Sequence, residues 1–181
     1  MTASSDGAAL PFVPAEFIVP VGLDCPAFRL RPLGPEHNSS DHAAWTSSMD
    51  HIHATPGYEG RRWPHPMTSD ENRVDLERHA ADFAGRTGFT YTVLAPGDGD
   101  GEHATVIGCV YIYPAETPGF DAHVRSWGRA ADARLDTELH RAVSAWLADK
   151  WPFERVEYAE RVGETCGPGG TPASARPLPG A

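Results

Sequence analysis

The stretch "VRSWGRAADARLDTELHRAVSAWL", from Val124 to Leu147, sets Arg129 and Arg134 between an extended run and an amphipathic helical pattern. The chemistry of such a junction is anion capture. The first N–H groups of a helix lack intrahelical acceptors, and the positive end of the helix dipole favours negative charge. Phosphate loops of this kind usually carry glycines, but here Ala130, Ala131, Ala133 and Asp136 occupy the loop. Asp136 is expected to cap the helix, so its carboxylate would accept the N–H groups that a phosphate needs. A like charge that close costs on the order of 1–4 kcal/mol. Arg129 and Arg134 would offset part of it through charge-assisted contacts. The sequence therefore predicts the scaffold of a phosphate site with altered contents.

Other residues invite other chemistry. "RRWPHPM" places Arg61, Arg62, Trp63 and His65 in a proline-stiffened loop. Such a loop could bind an acidic or aromatic group, or Trp63 could simply anchor it to the core. His42, His51 and His53 raise the question of a metal. Two ligands on one helical face need a spacing of three or four, whereas His51 and His53 would point about 200° apart on a helix. No metal is expected. "GDGDGE" resembles a calcium loop in composition only and predicts a solvated turn.

These residues need elements to position them, and 181 residues suffice for one ordinary domain. Apolar residues make up 40%, enough for a sizeable core, and the formal charge of −10 disfavours a nucleic-acid partner. Cys25, Cys109 and Cys166 form no CxxC pair or disulfide framework, which suits a reducing compartment. No signal peptide is visible, and no apolar run approaches the roughly 18 residues of a membrane span. A cytoplasmic protein without a membrane partner is expected.

Residues 1–10 are small and polar and are expected to be disordered, as is the Gly/Pro-rich tail over 163–181. The folded unit is then 11–162, beginning with an extended arm over 11–27. "FRLRPL" (28–33) alternates like a strand, and a helical pattern follows across 39–52. Thr68 and Glu71 form a capping box for a helix over 70–86, with Leu76, Ala80 and Phe83 inward. "FTYTVLAP" and "TVIGCVYIYP" predict an antiparallel hairpin, followed by a strand over 122–129. A helix over 135–151 with Leu135, Leu139, Val143, Trp146 and Leu147 on one stripe leads to a last strand over 155–160. A strand, crossover helix and strand imply a parallel pair, so the sheet should be mixed.

With "FRLRPL", "VIGCVYIYP" and "SWGR…TELHRAVSAWL" in this order, the chain resembles the GNAT superfamily of acyl-CoA-dependent N-acyltransferases over about residues 28–160. The phrase from His42 to Ala80 is also similar to that of a group of actinobacterial GNAT-like proteins. The resemblance implies an α+β fold, a GNAT-like mixed β-sheet flanked by helices. It implies acetyl-CoA as cofactor, an amine acceptor that is a small molecule or a peptide, and an N-acetyltransferase activity. Cofactor contacts would fall on Trp127, Gly128, Arg129, Arg134 and Thr137, and binding would be weak because the loop lacks glycine. The base would lie on the fourth strand of the family, where Asp121 and His123 are the candidates; Glu160 is a third. The loop bearing Arg61, Arg62, Trp63 and His65 would line the acceptor side. The family usually continues with a further helix and two strands, which are expected to be missing here. An uncovered sheet edge would then favour a homodimer. The alternative is a GNAT-like module that binds a ligand or partner through a degenerate CoA site and has lost transfer chemistry.

Overall fold

The computed structural model describes residues 11–101 and 103–161, so the expectations for 1–10 and 163–181 fall outside it. The strands are β1 (Leu23–Asp24), β2 (Arg29–Pro32), β3 (Phe89–Leu94), β4 (Val106–Pro114), β5 (Ala122–Gly128) and β6 (Val156–Tyr158). The helices are α1 (Asn38–Thr46), α2 (Met49–Ala54), α3 (Ser69–Gly85) and α4 (Leu135–Lys150). Strand order in the single sheet follows the chain. Neighbours are antiparallel from β1 to β5, and β5 and β6 are parallel, joined through α4. The fold is the expected α+β mixed sheet. No helix among the described residues is long and apolar enough to cross a membrane.

The sheet separates two cores because alternate strand residues point to opposite faces. On one face Tyr91, Val110, Ile112 and Val124 pack against Leu139, Val143, Trp146 and Leu147 of α4. On the other, Cys109 and Trp127 pack with Ala44 and Trp45 of α1, Ile52 of α2 and Leu76 of α3. The arm lies on the α4 side. Phe12 stacks on Phe89 and Phe153, and the Tyr91 hydroxyl donates to the Pro20 carbonyl.

Two local details depart from the sequence reading. The helical pattern over 39–52 divides into α1 and α2, because the Thr46 and Ser47 hydroxyls donate back to the carbonyls of His42 and Ala43. The "GDGDGE" turn is tied down rather than simply solvated, since Arg29 and Arg31 of β2 both reach Asp100, at 2.7 and 2.9 Å.

The capping box forms as expected. The Thr68 hydroxyl accepts from Glu71 N, and the Glu71 carboxylate accepts from Thr68 N. One turn later, buried Asn72 locks α3 to α1. It accepts from Trp45 Nε1 at 2.9 Å and donates to Asn38 Oδ1 and Asp41 Oδ2. Replacing Asn72 with Ala would orphan three buried groups, so a loss of about 3 kcal/mol or more is expected in urea unfolding. A loss below about 1 kcal/mol would show that the network is not what holds the two helices together.

Candidate active site

Strand alternation builds the site. Tyr111 and Tyr113 of β4 and His123, Arg125 and Trp127 of β5 share the face that packs on α1–α3, and the register sets Tyr111 beside Arg125 and Tyr113 beside His123. Helices α1 and α3 and the 55–67 loop leave part of this face uncovered. The result is a cleft of about 820 Å³ whose lining includes Tyr58, Arg61, Trp63, Arg78, His79, Tyr111, His123, Arg125 and Glu157.

His123 and Glu157 are register partners across the parallel pair. His123 Nδ1 lies 2.8 Å from Glu157 Oε2, and this hydrogen bond holds the Glu157 carboxyl below its ordinary range. The carboxylate selects the tautomer with hydrogen on Nδ1, which leaves the Nε2 lone pair available. Nε2 is buried and has no hydrogen-bond partner. Asp121, the other candidate, sits just before β5. Its carboxylate accepts the N–H groups of Glu154 and Arg155, which fixes the start of β6, and it is not among the cleft residues.

His79 sits deeper, its Nδ1 within hydrogen-bonding distance of the Tyr113 and Thr90 hydroxyls. Burial, helped by the neighbouring Arg78 charge, lowers its pKa to about 4. Asp41 is pushed up to about 6 by burial. Burial also raises the phenols of Tyr58 and Tyr111.

The 55–67 loop is held by its tryptophan, whose ring packs among Trp45, Tyr58, Tyr111 and Trp127. The histidines considered for a metal serve other ends. His53 Nε2 contacts the Pro64 carbonyl and His42 Nε2 the Met67 carbonyl, both at 2.8 Å. Arg61 lines the cleft, whereas Arg62 and His65 are exposed outside it.

The anion junction differs from expectation. Helix α4 begins at Leu135 with Arg134 as its cap residue, and no side chain caps it. Asp136 therefore lies inside the first turn and does not cap the helix. Its carboxylate turns back to β5, accepts Gly128 N–H at 2.9 Å and meets His51 Nε2 at 2.7 Å. The approach needs a glycine, because a Cβ on Gly128 would lie 2.7 Å from Asp136 Oδ1. A 3₁₀ turn over Ala130–Asp132 uses up further donors. The Arg129 N–H goes to the Ile107 carbonyl, that of Ala130 to the Ser48 hydroxyl, and those of Asp132 and Ala133 to carbonyls of the loop.

The Arg129 guanidinium is committed to Asp132. Arg134 and Thr137 are exposed, and Trp127 is fully buried in the core. Beyond Val124, where β6 diverges, the Ser126 carbonyl and hydroxyl accept from Arg161 Nη2 at 2.9 and 3.0 Å. The diphosphate of acetyl-CoA requires free backbone donors at this junction. The contacts that the resemblance assigns to that group at Gly128 and Arg129 are thus engaged within the chain, whereas the first turn of α4 carries no side-chain cap.

Of the residues named from the sequence, His123, Arg61 and Trp63 line the cleft; Arg125, Tyr58 and Glu157 of its lining, and Arg161 at the β5 edge, are not among those named. Period-two spacing from His123 could have found Arg125, and the parallel-pair prediction brings "RVEYAE" alongside β5. Nothing local marks Arg161 or Tyr58.

These elements define a GNAT-like architecture, and solved acetyltransferases share it. The structure of the ribosomal-protein-S5-alanine acetyltransferase of Vibrio fischeri superposes with a TM-score of 0.53 at 16% identity, over 71% of this chain and 67% of that one. The acetyltransferase of Salmonella typhimurium that modifies the N-terminal serine of ribosomal protein L7/L12 gives 0.54 at 12% identity, over 81% and 77%. At such identities the likeness concerns the fold. No protein-family model matches the chain, and no curated protein matches its sequence.

Two outcomes follow. Asp136→Ala removes the acceptor of the Gly128 N–H and is expected to cost about 1–3 kcal/mol in urea unfolding. Arg129→Ala should cost under about 1 kcal/mol, because its ion pair is partly exposed; equal losses would contradict these roles. The second outcome concerns acid. His79 takes a proton near its ordinary 6.5 when unfolded but only near 4 when folded, so stability is lost as pH falls through that window. Asp41, held near 6 instead of 3.8, works in the opposite sense. His79→Gln should therefore flatten the acid loss and Asp41→Asn should steepen it, as followed by thermal melts from pH 7 to pH 4.

Proposed function

We propose that the protein is an N-acyltransferase that acylates an amine held in the cleft. The observation that carries this reading is the His123–Glu157 pair, whose Nε2 is unpartnered. Glu157 fixes the imidazole tautomer, and Nε2 takes the proton that the amine loses on acylation. Trp63 and Tyr111 supply apolar walls that limit water. The donor class is an acyl thioester, acetyl-CoA being the form the resemblance implies. With the junction donors around Gly128 and Arg129 already engaged, that donor binds weakly.

The alternative, a GNAT-like module that binds a ligand without transfer, is the weaker reading, since the structural neighbours are acetyltransferases. A thiol-release assay separates the two, with millimolar acetyl-CoA and a panel of free amino acids, polyamines and peptide N-termini. Acyl transfer should be seen with at least one amine, and His123→Gln should lower kcat/KM by about 100-fold or more. Glu157→Gln should lower kcat more than it raises KM. Absence of thiol release with every amine would leave the binding module as the function.

A further inference from the structure

Arg125 stands in the middle of β5 with its guanidinium 5.7 Å from the ring centroids of both Tyr58 and Tyr111. Among the described residues it has no ion-pair partner, and its buried Nε makes no hydrogen bond. Three of the four acids that line the cleft are engaged elsewhere. Asp75 pairs with Arg78 at 2.7 Å, Glu157 pairs with His123 at 2.8 Å, and buried Asp41 accepts from Asn72. A guanidinium held in a cleft without an anion loses hydration that two aromatic faces restore only in part. Beside it, the Tyr58 hydroxyl is buried and unpartnered, and burial keeps that phenol protonated as a donor.

The third orphan group is His123 Nε2, two residues away on the same face of β5. That spacing sets their Cα atoms about 7 Å apart. A ligand whose amine and carboxylate are one or two carbons apart, with a hydrogen bond of about 3 Å at each end, has the reach to engage neighbouring same-face side chains of a strand. We propose that the cleft binds a free aminocarboxylate, an α- or β-amino acid. Its carboxylate lies on Arg125 and the Tyr58 hydroxyl, and its amine lies at His123 Nε2. A peptide N-terminus lacks a carboxylate at that distance and is disfavoured. The proposal rests on the cleft being the acceptor site of the transferase reading, but its test reads binding alone.

Calorimetric titration of the full chain with the free L-α-amino acids and β-alanine, each against its carboxamide, decides it. At least one acid should bind at low millimolar affinity or better, and its amide should bind about tenfold more weakly or worse. Arg125→Gln should abolish the acid-over-amide preference and Arg125→Lys should retain part of it. Arg62→Gln, outside the cleft, should change nothing. Equal binding of acid and amide, no binding of any amino acid, or a preference that survives in Arg125→Gln would overturn the proposal. The acid–amide comparison on the unsubstituted protein decides even where Arg125→Gln does not fold. Acid-selective binding without thiol release would keep this site and discard the transferase reading.

Discussion

The edge of β5 beyond Val124 has to be satisfied by something. There β6 diverges after three paired residues, and a buried strand cannot leave its N–H and C=O groups unpaired. Two side chains complete the strand. Arg161 takes the Ser126 carbonyl, and Asp136 takes the Gly128 N–H. Each also ties a distant element to the sheet. Arg161 reaches the Pro56 carbonyl in the loop after α2, and Asp136 joins α4 to His51 on α2. The start of α4, the placement of α2 and one border of the cleft all follow from how this edge is closed.

That closure also separates architecture from chemistry. The fold is shared with solved acetyltransferases, yet the N–H groups of Gly128, Arg129, Ala130, Asp132 and Ala133 in the junction loop already have acceptors within the chain. Function resides in the side chains set on a fold. Here the cleft's side chains are on the face of the sheet away from α4. His123, Arg125, Tyr111 and Trp127 lie together because β4 and β5 are in register and alternate. The cleft is polar at its mouth and aromatic in depth. Asp75 and Glu157 of its lining are paired, and its central arginine is not.

Much of this could be read from local pattern. Period-two alternation in "FTYTVL" and the continuous apolar run "VIGCVYIY" gave the central hairpin, and the Thr68–Glu71 spacing gave the start of α3. The stripe on α4 followed by "RVEYAE" gave the parallel pair. These signals rest on interactions among near neighbours in the chain, so the sequence alone determined the elements, their order and the mixed sheet. It also gave His123 a position on β5, though no sign of which acid would orient it.

Tertiary structure alone decided what each charge faces. Asp136 reads as a helix cap, because a carboxylate at a helix start usually finds its donors locally; it turns instead toward Gly128 and His51, the latter 85 residues away in the chain. Arg129 looked like an anion ligand and pairs with Asp132. Arg161 closes a strand edge 35 residues before it, and Arg125 stands between two tyrosines from different elements. Periodicity reports which side of an element is apolar. The partner of a long charged side chain depends on distances between elements, and these are fixed only once the two cores have packed.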